Sequence, residues 1–159
     1  MKTAWIIIAM ATLAMAAPPT GDFAAGLAAY NKGDFAEALK QWQPVADGGS
    51  RDAQYNVGLL YLDGKGVVRN YEEAVKWFER AADQGQVEAQ HDLGALYGSG
   101  RGVKRDYVQA YKWMSICAAK GNGGCVTQRD ALEKKLKGAK LAEAQRLAAD
   151  WKPKDEPSK

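Results

Sequence analysis

Residues 53–61 read Ala53-Gln54-Tyr55-Asn56-Val57-Gly58-Leu59-Leu60-Tyr61, and residues 89–97 read Ala89-Gln90-His91-Asp92-Leu93-Gly94-Ala95-Leu96-Tyr97. The second stretch is an imperfect copy of the first, 36 positions on. The register continues without a gap. Gly64 and Gly66 fall on Gly100 and Gly102, Val67 on Val103, Tyr71 on Tyr107, Ala74 on Ala110, Trp77 on Trp113, Ala82 on Ala118 and Gly85 on Gly121. Self-similarity at a fixed period of this size marks an architecture made by stacking one supersecondary unit.

Each unit reads as two helices. The first spans residues 51–62, where Ala53, Val57, Leu60 and Tyr61 recur at helical spacing. Gly58 lies inside it, at a cost of about 1 kcal/mol relative to Ala, which is acceptable where another element packs close. Gly64 and Gly66 end it, because Gly enters the left-handed conformation of a helix C-terminus without strain. The second helix spans residues 71–84, with Tyr71, Ala74, Val75, Phe78 and Ala82 facing inward and Gly85 as its stop. Large aromatics set against Ala and Gly let neighbouring helices interlock at short range.

The theme continues outward in degenerate form. Phe35, Ala38, Trp42, Ala46 and Gly49 precede Tyr71, Ala74, Phe78, Ala82 and Gly85 by the same 36 residues. A helix over residues 22–31 stands before them, across the turn Lys32-Gly33-Asp34. Residues 125–136 and 140–151 read as a last helical pair, and residues 153–159 as a frayed polar tail. Atypical end units are expected of a solenoid, since one face of each meets water. The fold class is therefore all-α, with about four antiparallel hairpins.

The start of the chain reads as an address. Lys2 precedes an apolar run over residues 4–14, and Ala14-Met15-Ala16 supplies small residues for cleavage after Ala16. The run is too short to span a membrane and has the layout of a secretory signal over residues 1–16. The repeat domain then occupies residues 17–152. Its Ala, Leu, Lys, Glu and Gln content favours helix over strand. Charge is uneven: residues 1–100 hold 8 Lys/Arg and 12 Asp/Glu, whereas residues 101–159 hold 14 and 7. Without clustered arginines interleaved with aromatics, this asymmetry gives nucleic-acid binding little support.

The pattern A-x-x-x-L/V-G-x-x-Y-x-x-G-x-G-V-x-x-x-Y-x-x-A-x-x-W-x-x-x-A-A-x-x-G resembles the Sel1-like repeat, a relative of the tetratricopeptide repeat. Residues 53–88 and 89–123 match it at nearly every position. Residues 22–52 are similar to the shorter unit that opens such proteins, and residues 124–152 to the closing helices of exported bacterial members. One departure stands out. Relatives begin the last helix with Ser/Thr-Pro, where this chain has Lys137-Gly138-Ala139-Lys140, so that helix starts loosely or fuses with its predecessor. The resemblance implies a right-handed superhelix of α-hairpins that acts as an adaptor.

Cys117 and Cys125 fall, in register, on Ala81 and Ala89, one ending a second helix and the other opening the next first helix. Small residues there should meet across a tight turn, and an oxidising compartment would allow a bridge. Two buried thiols or a redox pair are the other readings, though a thioredoxin-type site wants C-x-x-C. Exported relatives are stapled at this spacing, so the resemblance implies the disulfide.

Motifs for catalysis are missing. His91 is the one histidine, which with two cysteines makes no convincing zinc site. No G-x-S-x-G occurs, and none of Ser50, Ser99, Ser115 and Ser158 begins S-x-x-K. Gly98-Ser99-Gly100-Arg101-Gly102 faintly mimics a phosphate loop but follows a helix and is explained by the repeat turns. The chain reads as a non-enzyme with no cofactor and no metal. The first helices of stacked hairpins line a concave face. The residues flanking Gly58 and Gly94 there are Asp52, Tyr55, Leu59, Leu62, Glu88, His91 and Ala95. Packing between neighbouring first helices is the alternative role for Tyr55 and Leu59. The expectation is a periplasmic or secreted monomer that binds a protein or peptide partner on this face. A cell-wall or polysaccharide binder using the basic back half is the alternative, and an envelope hydrolase ranks behind it.

Overall fold

The computed structural model describes residues 21–154, so the signal segment over residues 1–16 and the tail over residues 155–159 lie outside the described residues. Eight helices follow one another, with no strand among the described residues. They are α1 (Phe23–Asn31), α2 (Phe35–Asp47), α3 (Arg51–Asp63), α4 (Tyr71–Asp83), α5 (Val87–Ser99), α6 (Tyr107–Ala118), α7 (Gly123–Glu133) and α8 (Ala139–Ala149). Side-chain caps set most of the starts. Asn70 accepts from the Glu72 and Glu73 amides, and Asp106 likewise from Val108 and Gln109. Gly64 and Gly100 end α3 and α5 in the left-handed conformation, with φ of 69° and 75°.

The first three pairs pack as hairpins, and each second helix also packs on the next first helix, α2 on α3, α4 on α5 and α6 on α7. The result is an α/α solenoid. Gly58 and Gly94 occupy the close-packing positions. A Cβ at Gly58 would sit 2.5 Å from the Phe78 ring, and one at Gly94 3.0 Å from the Met114 methyl. The core runs from unit to unit: Trp42, Val57 and Leu60 pack together, then Phe78, Leu93 and Trp113, then Met114, Leu132 and Ala144. Two glutamines stitch the units. Buried Gln54 donates to the Ala46 carbonyl at 3.0 Å, and buried Gln90 to that of Ala82 at 3.1 Å.

Cys117 and Cys125 form a disulfide with Cα atoms 5.8 Å apart. Both are fully buried, as are Ala81 and Ala89 one unit earlier. The final pair differs from the others. Gly138, with φ of 56°, separates α7 from α8, so the two helices do not fuse. α8 packs chiefly on α6, and its Ala144 shares a core cluster with Leu132 of α7. Pro153 and Lys154, read above as part of the frayed end, lie against the α4–α5 turn. Pro153 faces Gly85, and Lys154 bonds the Asp83 carbonyl at 2.7 Å and its carboxylate. The preceding Trp151 stands edge-on to Trp113 at 6.2 Å, which anchors the return of the chain.

Candidate interaction surface

Side-chain hydrogen bonds link α3 to α5 and α5 to α7. A chain of hydrogen bonds crosses all three. The Tyr55 hydroxyl donates to Asp92 Oδ2 at 3.2 Å. Asp92 Oδ1 lies 3.0 Å from His91 Nδ1, and His91 Nε2 lies 2.9 Å from the Gln128 amide nitrogen. A carboxylate only accepts, so the imidazole proton sits on Nδ1, and the Gln128 N–H donates to Nε2. Nearer the helix starts, the Gln86 amide donates to Asp52 at 3.1 Å. Burial, and then the Asp92 carboxylate, push the Tyr55 phenol well above the ordinary tyrosine range.

The sequence-predicted residues fall into three groups. Tyr55 and His91 are half-buried and held by this relay, and the Tyr55 ring also lies 5.6 Å from Phe78. Leu59, Leu62 and Ala95 are half-buried, each backed by core. Asp52 and Glu88 are exposed. Leu62 and Ala95 meet in a shallow groove of about 340 Å³ that is closed by Asp92, Leu96, Ser99 and Arg101. The Asp92–His91 pair has the form of an oriented base, yet its free nitrogen faces an amide, while the nearby Ser99 hydroxyl is turned back to the Leu96 carbonyl at 3.2 Å. Among the described residues no group of three or more His, Cys, Asp or Glu side chains is placed to hold a metal.

Asp92 and Gln128 went unread in the sequence. Asp92 bonds a residue 37 positions away, one step off the repeat register, so no repeat comparison pairs them. The buried glutamines did leave a signal, since the dipeptides Ala53-Gln54 and Ala89-Gln90 recur in register.

A family model of the Sel1 repeat matches residues 51–86 and 87–122. The solved Sel1 repeat protein from Oxalobacter formigenes is 33% identical, with a TM-score of 0.63 over 69% of this chain and 85% of that one. The chain belongs to the Sel1 repeat family. It is also similar, at 33% identity and a TM-score of 0.74, to c5321, a protective antigen of uropathogenic Escherichia coli strains that displays an SLR fold. That match covers 79% of this chain, which spans 28% of the antigen's length. No curated relative matches the sequence. Sel1 repeats serve in general as scaffolds for protein–protein contact and are typically non-catalytic. The disulfide of this member fits an oxidising compartment, and no helix among the described residues is long and apolar enough to cross a membrane.

Proposed function

We propose that this Sel1 repeat protein is a non-catalytic interaction scaffold of the bacterial envelope, exported to the periplasm or beyond, that binds a protein or peptide partner on the concave face of α3, α5 and α7. The relay from Tyr55 through Asp92 and His91 to Gln128 carries this reading. It holds three first helices in one arrangement beside the half-buried Leu59, Leu62 and Ala95. A surface ordered in advance loses less entropy on binding. Exposed Asp52 and Glu88 flank the apolar stripe and suit a partner segment that carries a basic group. The oxidised cysteines support the envelope assignment.

A photo-cross-linking residue placed at Leu59 or Ala95 should trap one discrete partner in envelope extracts. The same group at Lys76, exposed on α4, should not. Equal adducts from Lys76 would remove the assignment to this face.

A further inference from the structure

The α3–α4 and α5–α6 loops each cover the start of the second helix one hairpin earlier. Gly66, with φ of 71°, lies on the Phe35 backbone, where a Cβ would come within 2.6 Å of the carbonyl carbon. Gly102, 36 positions on, lies in the same way on the Tyr71 backbone. Beside these glycines, Val67 and Val103 are half-buried against the core. A cation from each loop also sits over the ring beneath: Lys65 lies 5.4 Å from the Phe35 centroid and Arg101 6.0 Å from that of Tyr71.

The third instance is covered only in part, since Leu136 is buried but the glycine contact is missing. Tyr107 starts α6 and has Lys135 over its ring at 4.9 Å. Gly138, the next glycine in register, has no neighbour within 4 Å of an added Cβ. The cause is the position of α8. It begins at Ala139, whereas the register of Tyr71 and Tyr107 would start it at residue 143. Residues 134–138 are thus too short a linker to reproduce the cover that residues 64–70 and 100–106 supply, and α8 leans on α6. A cleft of about 430 Å³ remains, walled by Arg105, Tyr107, Gln109, Lys135, Leu136 and Lys140.

Its charge is net positive, with Arg105, Lys135 and Lys140 set against Asp106 and Glu143. Arg105 lies 5.8 Å from the Tyr107 ring, beside Lys135, and neither they nor Lys140 form an ion pair among the described residues. Asp106 keeps its charge while it accepts from the Val108 and Gln109 amides, so it and Glu143 are the two opposing charges on the wall. α8 begins without a side-chain cap and without an acidic residue in its first turn, so its positive end is uncompensated.

We infer that this cleft is a second docking site, beside the face of α3, α5 and α7, which takes an acidic peptide segment of a protein partner. The chain that fills the two equivalent places is a Gly-x-Gly-Val turn with both glycines in the left-handed conformation, so the occupant supplies a turn of backbone and a small aliphatic side chain beside Tyr107. A carboxylate next to that side chain meets the Arg105 fork and the Lys135 and Lys140 ammonium groups.

The test uses a fluorescein-labelled peptide of repeated Glu-Gly-Val units, with anisotropy read against the full chain and a matched Lys-Gly-Val peptide as control. The acidic peptide should bind, and more weakly as salt rises. Arg105→Gln with Lys135→Gln should weaken binding about tenfold. Lys134→Gln with Lys137→Gln removes the same charge outside the cleft and should change it by less than about twofold. If the first pair lowers the melting point, the exposed Lys140→Gln replaces it, with a loss of roughly threefold. Equal losses from the two double variants, binding no tighter than the lysine peptide's, or a preference for soluble heparin over the peptide would overturn the proposal.

Discussion

The Tyr55 hydroxyl on α3 donates to Asp92 on α5 at 3.2 Å, and the other oxygen of that carboxylate holds His91 at 3.0 Å. One half-buried carboxylate therefore joins two repeats and orients the imidazole that meets α7. Removing it leaves two donors unmatched, whereas removing the phenol oxygen leaves Asp92 with His91. Asp92→Ala should cost about 1–3 kcal/mol and Tyr55→Phe about 0.5–1.5 kcal/mol in urea unfolding. A smaller loss for Asp92→Ala than for Tyr55→Phe would show that Asp92 is not the hub.

The two helix-interior glycines should respond differently to alanine. At Gly58 the new methyl meets the rigid Phe78 ring at 2.5 Å, and overpacking of that kind costs about 1–3 kcal/mol. At Gly94 it meets the end of the flexible Met114 side chain at 3.0 Å, which can move aside. The gain in helix propensity, about 1 kcal/mol, then offsets the crowding. Gly58→Ala should lower the urea midpoint, and Gly94→Ala should leave it close to wild type.

The Cys117–Cys125 bridge closes a loop with a sequence separation of 8. Cys117→Ala with Cys125→Ala restores the residues that Ala81 and Ala89 supply one unit earlier, so packing is kept and the bridge alone is lost. The expected loss is about 2–3 kcal/mol from the chain-entropy account. Adding reductant to wild type should bring its unfolding midpoint to that of the double variant. A midpoint indifferent to reductant would mean that the bridge adds nothing.

Two tyrosines should ionise late. Burial, followed by Asp92 for Tyr55 and by the Glu79 hydrogen bond for Tyr97, raises both phenols in the folded state. The unfolded chain releases these protons near pH ~10. The stabilisation is therefore complete below that pH and is lost as the pH climbs from there towards the folded-state values. Titration of tyrosinate absorbance should show a late-ionising fraction in the native protein, and a smaller one in Tyr97→Phe.

What the sequence made legible was whatever repeats. The ungapped match of residues 53–61 to 89–97 located α3 and α5, the close approach at Gly58 and Gly94, and the small buried pair that became Cys117 and Cys125. What remained hidden depends on how one helix is rotated against another. Asp92 contacts Tyr55 one step off register, and Gln54 and Gln90 look solvated until the preceding helix end is placed against them. The end of the chain was hidden for a further reason. Lys137-Gly138-Ala139-Lys140 contains the signal for a loose start but none for α8 leaning on α6, and only the fold brings Lys154 to Asp83.

The central claim is that the face shared by α3, α5 and α7 is a contact surface. The most direct measurement is the affinity, by isothermal titration, of the cross-linked partner for wild type and for Leu59→Glu, with circular dichroism confirming that the variant is folded. The account predicts a loss of at least about tenfold, because a buried contact would be replaced by a desolvated charge. Unchanged affinity in a folded Leu59→Glu variant would contradict it.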